Sequence, residues 1–205
     1  MRRVLVLFAH PVLERSRVNK RLAAVLRDLP GVTIHDLYEA YPTLGIDVAR
    51  EQALLVEHDV IVFQHPFYWY STPAILKEWQ DLVLEHGWAY GPGGDALRGK
   101  LTLNAITAGG PAHAYQRDGH NRFTVRELLA PWEQTANLCG MRFLAPYVVH
   151  AALRIVSDED LGGRHLGYRR LIEGLRDERI DVDRAARAQN LCDELDGLFA
   201  AAGVA

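Results

Sequence analysis

The stretch VIVFQHPFYWYSTPAILKEWQDLVLEHG, residues 60–87, decides the fold because it holds a strand, a loop and a helix in one run. Its first residues are almost continuously apolar, which is typical of a strand buried on both faces. Pro73 suits the first turn of a helix and Gly87 suits its end. Between them the apolar residues recur at helical spacing, at Ile75, Leu76, Trp79, Leu82 and Val83. The stretch predicts a strand over 60–64 and a helix over 73–86.

Four consecutive aromatic residues, Phe67, Tyr68, Trp69 and Tyr70, occupy the loop between this strand and this helix. Loops normally use small polar residues. A strand cannot bury all four rings either, because successive side chains point to opposite faces. We interpret the aromatic block as a surface for a flat ligand. The alternative is that the four rings only cover the end of the sheet.

Outward from this stretch, strands and helices alternate along the chain. The patterns predict further strands over 4–9, 32–37, 101–107 and 143–150. They predict further helices over 16–29, 46–58 and 124–138, and two C-terminal helices from 157, parted near 180–183. This alternation predicts an α/β three-layer sandwich around a five-stranded parallel sheet of order 2-1-3-4-5. We expect one domain over 1–205 with a helical extension from about 157, and Pro146 indicates a sheet edge or bulge.

Composition limits the classes of function. The chain has 205 residues, 49% hydrophobic residues and a net charge of −3, which suit one globular domain and do not indicate a nucleic-acid partner. Two cysteines are too few for a disulfide scaffold or a metal site. The apolar run at the N terminus is too short for a secretion signal, and no run reaches the ~20 residues of a membrane span. We expect a cytoplasmic protein without a metal.

Ligands of parallel sheets bind beyond the carboxyl ends of the strands, where the strand order reverses. Three predicted loops leave those ends, at 10–17, 65–72 and 108–121. The first places Ser16 as a candidate N-cap, followed by the basic residues Arg17, Lys20 and Arg21. Positive charge opposes the dipole at a helix start, so the pattern favours a bound phosphate there. The alternative is a solvated basic face. Neither the P-loop motif nor the G-x-G-x-x-G motif is present.

The third loop begins with Gly109 and Gly110, which allow a ligand to approach the backbone closely. Tyr115 and His120 follow as candidate donors, with ordinary surface side chains as the alternative. Together the three loops predict a flat ring system, anchored by phosphate at the first loop and stacked on the aromatic block.

Five motifs resemble one known family. They are AHP at 9–11, SRVN at 16–19, HPFYWYSTPAILKEWQD at 65–81, GWAYG at 87–91 and TAGGPAHAY at 107–115. These motifs resemble the flavin-dependent NAD(P)H:quinone reductases, which have a flavodoxin-like fold. Within them, they resemble the ancillary oxidoreductases of glutathione-gated potassium efflux systems. The resemblance covers roughly residues 1–150.

The resemblance implies a binding site for FMN, with FAD as the alternative. For the phosphate and ribityl chain it implies His10, Ser16, Arg17, Val18 and Asn19. For the isoalloxazine ring it implies Pro66, Phe67, Tyr68, Trp69 and Tyr70, and for the pyrimidine edge Thr107, Ala108, Gly109 and Gly110. It implies Tyr115 and His120 as catalytic residues, although His120 stands one place early and Ala108 replaces a threonine of the family pattern.

The activity implied is two-electron, ping-pong hydride transfer from NAD(P)H through flavin to a quinone or similar small acceptor. The resemblance also implies a homodimer, for which Trp79 and Tyr90 are candidate interface residues. One alternative is a regulatory ancillary subunit of a potassium efflux transporter, with flavin as a structural or sensing ligand and a peripheral location at the inner membrane. Two others are a one-electron carrier, which is normally more acidic, and a flavin-free α/β binding protein.

Overall fold

A computed structural model describes residues 1–199, and one parallel sheet forms the centre of the fold. Its strands run in the order β2-β1-β3-β4-β5, and a further short strand, β6, also pairs with β4. This confirms the predicted order. The strands are β1 Val4–Phe8, β2 Val32–Asp36, β3 Val60–Pro66, β4 Leu101–Thr107, β5 Arg142–Phe143 and β6 Tyr147–Val149.

Helices cover both faces of the sheet. Val4 and Val6 of β1 face a cluster that includes Leu22 and Leu171, whereas Leu5 and Leu7 face the opposite cluster. Both sides of the inner strands are therefore buried, which explains why those strands read as continuous apolar runs. The helices are α1 Val18–Ala24, α2 Leu37–Ala40, α3 Val48–Glu57, α4 Ala74–Val83, α5 Val125–Leu128, α6 Ala130–Leu138, α7 Asp158–Leu161, α8 Arg164–Arg176, α9 Val182–Arg187 and α10 Leu191–Glu194.

The first helix is shorter than predicted at both ends. A 3₁₀ turn over Leu13–Arg15 precedes it, and the backbone N–H of Ser16 donates to the Leu13 carbonyl at 2.9 Å. Ser16 is extended, Arg17 occupies the N-cap position, and within residues 1–199 no side chain caps the helix. The prediction that Ser16 caps α1 was wrong. After Ala24 the chain continues to Leu29 in tight turns rather than in α-helix.

The predicted fifth strand is divided into β5 and β6. Between them the backbone N–H of Ala145 donates to the Ala185 carbonyl, and the Pro146 carbonyl accepts from Leu191. Pro146 has no N–H to offer to the sheet, so the chain leaves β4 at this point. The C-terminal helices thereby satisfy the backbone of the interrupted edge strand.

The C-terminal region contains more helices than predicted. Gly162 and Gly163 both have positive φ and separate α7 from α8. A break near 180–183 is present, since α8 ends at Arg176 and Asp181 caps α9. The expectation of only two helices was wrong, because short turns at glycines and at Asn190 divide the segment. The last residues of the predicted segment, 200–205, lie outside the described part. Tyr168 and Leu171 of α8 are fully buried against the sheet.

Candidate functional site

The three predicted loops meet at the carboxyl edge of the sheet. The Asn19 amide donates to the Thr107 hydroxyl at 2.8 Å, which joins the first loop to the third. The backbone N–H of Phe67 donates to the Thr107 carbonyl at 2.9 Å, which joins the second to the third. Tyr68 meets His10 edge-on, with ring centroids 6.2 Å apart. The structure thus brings the candidate residues of β1, β3 and β4 into one place.

The first loop is basic and partly buried. The His10 ring lies inside, where its Nδ1 accepts from the Val12 N–H at 3.2 Å, and burial lowers the pKa of His10. Arg17 is exposed, Val18 is buried, and Ser16 is intermediate. The first turn of α1 carries no acidic residue. Glu14 lies in the preceding turn and Arg21 is paired with Asp158, but the exposed Arg17 and Lys20 keep positive charge close to the start of the helix, where an anion would be stabilised.

Asn19 has an incomplete set of hydrogen bonds. Its side chain is 1% exposed, and its Nδ2 is bound to Thr107. Its Oδ1 is buried without a partner among residues 1–199. An unsatisfied buried amide oxygen is costly, so the position can accept a hydrogen bond from a donor outside the chain, such as a ligand hydroxyl or a water.

The aromatic block divides into two parts. Phe67 is buried against Tyr115, with ring centroids 6.3 Å apart, and Pro66 ends β3 beneath it. Tyr68, Trp69 and Tyr70 form a tight turn that the Ser71 N–H closes onto the Tyr68 carbonyl. Trp69 and Tyr70 have φ of 49° and 61°, and Trp69 is 92% exposed. Bulky residues rarely adopt positive φ, and such strain concentrates at functional sites.

The third loop places a tyrosine over a glycine. Ala108 is buried, and its N–H donates to the Val149 carbonyl at 3.0 Å. Tyr115 folds back so closely that a Cβ on Gly110 would lie 3.2 Å from its Cε2 atom. Burial raises the pKa of Tyr115, and the adjacent Gly110 backbone lowers it in part. Tyr115 therefore presents a neutral hydroxyl beside the glycine pair at the end of β4.

His120 does not join this cluster through a described contact. It is exposed on a turn in which the neighbouring Asn121 makes the links: its N–H donates to the Ala114 carbonyl at 2.9 Å, and its Oδ1 accepts from the Tyr70 hydroxyl at 3.1 Å. Sequence reasoning missed Asn121. Because its role depends on which loop it faces, no local pattern marks it.

His150 is a second residue that the sequence analysis passed over. Its ring lies next to Tyr115, with centroids 5.4 Å apart, and its Nδ1 is buried with no partner in the described chain. Burial is the main cause that lowers the pKa of His150. A signal was available, because His150 follows the last strand as His10 follows the first, and both positions lie at the ligand edge of a parallel sheet.

Other ligand classes find less support at this edge. The Asp36 carboxylate at the end of β2 accepts from the N–H groups of Tyr38 and Glu39, so it is used as a helix cap rather than as a ribose ligand. Within residues 1–199, no group of His, Cys, Asp and Glu side chains is arranged to hold a metal ion. In the same range, no helix is both long and apolar enough to cross a bilayer.

Comparisons with known proteins agree with this fold. Residues 2–170 match the Flavodoxin_2 family, described as a flavodoxin-like fold. The glutathione-regulated potassium-efflux system ancillary protein KefG of Pectobacterium carotovorum is 49% identical over 156 residues, which cover 76% of this chain and 85% of that protein.

Two solved structures are also similar. General stress protein 14 of Treponema denticola, in complex with FMN, has a TM-score of 0.78 and 38% identity over 84% of this chain and 99% of its own. An NADPH-quinone reductase from P. pentosaceus has a TM-score of 0.74 and 32% identity over 82% of this chain and 96% of its own. The family match covers most of the chain, and the relatives are similar over most of their own length. The chain therefore belongs to the flavodoxin-like family.

Proposed function

We propose that this protein is a flavin-dependent NAD(P)H:quinone oxidoreductase that binds FMN at the three-loop edge of the sheet. The observation that carries the proposal is the buried Oδ1 of Asn19, which has no partner among residues 1–199 and lies beside a basic helix start and a strained, exposed aromatic turn. A ribityl hydroxyl of FMN would supply a donor for this oxygen. The FMN complex of a similar stress protein and the similar NADPH-quinone reductase support the proposal.

Each part of FMN fits a different loop. Ser16, Arg17 and Val18 at the start of α1 would hold the phosphate. The turn formed by Tyr68 to Tyr70, together with Pro66 and Phe67, would hold the ring. The backbone from Thr107 to Gly110 would hold the pyrimidine edge, because the absence of side chains on the glycines permits close approach. His10 links the first two loops through its edge-on contact with Tyr68, and burial lowers its pKa, which favours the neutral imidazole.

Bound FMN supplies two-electron chemistry, taking reducing equivalents from NAD(P)H and passing them to a quinone. The protein's part is electrostatic and geometric. Tyr115 and the backbone N–H groups of Gly109 and Gly110 would be the donors for the edge where negative charge would develop, and His120, exposed on the neighbouring turn, is a further candidate. Fixed donors aimed at developing charge lower the barrier because they need no reorganisation. The exposed turn at Trp69 would leave one face of the bound ring accessible, and we propose that the two substrates share this face in succession.

Titration with FMN and steady-state kinetics test the proposal. We expect stoichiometric FMN binding, tighter than that of riboflavin. NAD(P)H oxidation with a quinone should give parallel double-reciprocal lines, as ping-pong turnover requires. Intersecting lines would contradict the shared face, and a protein that binds no flavin would overturn the whole assignment in favour of a flavin-free binding protein.

The homodimer is also a proposal. Exposed apolar side chains surround the carboxyl edge of the sheet, among them Trp69, Phe123 and Leu153. An interface in a homodimer would cover such exposed apolar side chains. Trp79 cannot contribute, because it is fully buried and its indole N–H donates to Glu51, so that candidate was wrong. Light scattering at micromolar concentration should report a dimer, and a monomer would contradict the proposal.

A second candidate function is an ancillary role in a potassium efflux system, with attachment to the inner membrane through the transporter. The similarity to KefG supports it. Co-sedimentation with vesicles that contain a glutathione-gated efflux transporter, against vesicles without it, tests this role. Retention only by the transporter vesicles would favour it, and equal recovery in both supernatants would exclude it.

A further inference from the structure

A chain of buried hydrogen bonds connects α8 to the first loop. The Tyr168 hydroxyl donates to Gln64 Oε1 at 3.2 Å, and Gln64 Nε2 donates to the Asn19 carbonyl at 3.1 Å. Asn19 Nδ2 continues the chain to the Thr107 hydroxyl at 2.8 Å. The four residues come from α8, β3, α1 and β4. A residue 104 positions away from Gln64 in sequence is therefore in direct contact with the base of the candidate site.

Burial favours a single orientation of the side chains in this series of hydrogen bonds. Tyr168 and Gln64 are fully buried, and Asn19 is almost so. Both ends of the Gln64 amide are used, one by Tyr168 and the other by Asn19. An unpaired amide or hydroxyl is costly when it is buried, so each side chain favours the orientation that keeps its hydrogen bond to the next.

Two further contacts tie the same C-terminal elements to α1. Arg169 of α8 donates to the Val25 carbonyl, just past the end of α1, at 2.8 Å. Arg21 forms an ion pair with Asp158 at the start of α7, at 2.6 Å. The start, middle and end of α1 are thus each linked to the α7–α8 segment. Of these three links, the one from Tyr168 passes through the buried side chain of Gln64 on β3.

We propose that Tyr168 is a positioning residue for the phosphate end of the site. Its hydroxyl fixes Gln64, and Gln64 fixes the first turn of α1 through the Asn19 carbonyl. The backbone N–H groups at the helix start are then held in place before a phosphate arrives, which reduces the ordering cost of binding. The inference rests on the proposed function only for the identity of the ligand. It assigns to α8 an indirect role in binding, because Tyr168 acts on the first loop through Gln64.

The neighbouring Tyr147 offers a matched control. It is also buried, its ring packs on that of Tyr168 with centroids 5.2 Å apart, and its hydroxyl donates to the Arg164 carbonyl within α8. Tyr168→Phe and Tyr147→Phe each remove one buried hydroxyl from the same cluster. They should lower the melting temperature by similar amounts, but only Tyr168→Phe breaks the link to Gln64.

The first measurement compares FMN with riboflavin, which lacks the phosphate. We expect Tyr168→Phe to bind FMN roughly three- to tenfold more weakly, the range of one net hydrogen bond. Its riboflavin affinity should stay near that of the unmodified protein, and Tyr147→Phe should change neither affinity. Unchanged FMN affinity in Tyr168→Phe, or equal weakening of both ligands, would overturn the positioning role.

The second measurement needs no ligand. Hydrogen–deuterium exchange in residues 12–24 should be faster in ligand-free Tyr168→Phe than in the unmodified protein or in Tyr147→Phe. Equal rates in the two variants would overturn the inference whatever the flavin results. If the unmodified protein does not prefer FMN to riboflavin, the proposed phosphate site fails, and exchange alone then decides whether Tyr168 positions the first loop.

Discussion

Glu51 shows how one buried charge organises several elements. Its carboxylate is fully buried on α3 and accepts from His35 Nε2 at 2.7 Å, from the Tyr41 hydroxyl at 2.6 Å and from the Trp79 indole at 2.8 Å. Burial alone raises the pKa of Glu51, but the three hydrogen bonds outweigh it and hold the pKa below its ordinary value. The burial of Glu51 could not be predicted from the sequence, because a lone glutamate on a helix normally faces solvent.

Replacing Glu51 with glutamine should be strongly destabilising. The amide keeps the shape, but it offers one acceptor oxygen to three donors and turns an N–H₂ group toward them. We expect Glu51→Gln to lower the free energy of unfolding by about 2–4 kcal/mol, as for a broken buried pair. Urea denaturation measures this, with Glu57→Gln as the control. Glu57 pairs with Arg3 at the surface of the same helix, so its loss should cost less than ~1 kcal/mol. Equal losses would contradict the argument.

The two glycines after β4 should differ in their tolerance of a methyl group. A Cβ on Gly109 would meet the Cδ1 atom of Leu153 at 3.2 Å, but that side chain is 82% exposed and can turn away. A Cβ on Gly110 would meet the buried Tyr115 ring at the same distance. We expect Gly110→Ala to destabilise the ligand-free protein by about 1–2 kcal/mol, the cost of modest overpacking, and Gly109→Ala to be nearly neutral. Melting of the two variants side by side tests this, and the reverse order would show that Tyr115 yields.

At the scale of elements, the turn from Tyr68 to Ser71 has a strained backbone that core packing does not explain. Trp69 is almost fully exposed yet has positive φ, a conformation that costs an L-residue about 1–2 kcal/mol. Glycine adopts it without strain, although glycine also increases the entropy of the unfolded chain. The strain is explained if the indole acts on a ligand rather than on the core.

Trp69→Gly should therefore separate stability from binding. We expect a melting temperature equal to or above that of the unmodified protein, because relief of strain offsets the added chain entropy. FMN affinity should fall about two- to tenfold through loss of stacking. Trp69→Phe keeps an aromatic face and should retain most of the affinity. Loss of stability without loss of FMN affinity would show that the indole serves the fold alone.

The parts of the fold that the sequence predicts are those set by local periodicity. The β3–α4 stretch has a continuous apolar strand and a helical stripe, and both appear within a few residues of their predicted bounds. The prediction for Ser16 was wrong because the helix begins at Val18, after a 3₁₀ turn that has no sequence signature, and the N-cap position therefore falls on Arg17. The split of the fifth strand depends on Ala185 and Leu191, which are distant in sequence. Asn121 likewise acquires its role only by facing Tyr70.

For the whole molecule, buried histidines set the response to acid. Burial is the main cause that lowers the pKa of His10, His58, His65 and His150 below the ordinary value of 6.5. These residues lie on both sides of the sheet and at the candidate site, so the effect is not confined to one element. In the unfolded chain each of them takes up a proton at a higher pH than in the folded protein.

The sign of the pH dependence follows from this difference. Where the unfolded state binds more protons, stability falls as pH decreases. The contribution of the four histidines is therefore fully present above about pH 6.5 and is lost as pH falls through their lowered folded pKa values. Among the carboxyl groups, the lowered pKa of Glu51 acts in the same direction, but only below its ordinary value of 4.5. The raised pKa of Asp36 opposes it, in a similarly acidic range.

We accordingly expect the free energy of unfolding to be nearly constant between pH 7 and 8 and to decline between pH 6.5 and 5. Urea denaturation at each pH measures it. His58→Gln provides the internal test: both ring nitrogens of His58 are engaged, with the Leu54 carbonyl at 2.7 Å and the Thr33 hydroxyl at 2.9 Å. The variant should be less stable at pH 8, because it loses these contacts, yet should show a shallower decline toward pH 5, because one proton-linked group is gone. A stability that rises from pH 7 to 5, or an unchanged slope in His58→Gln, would mean that other groups govern the acid response.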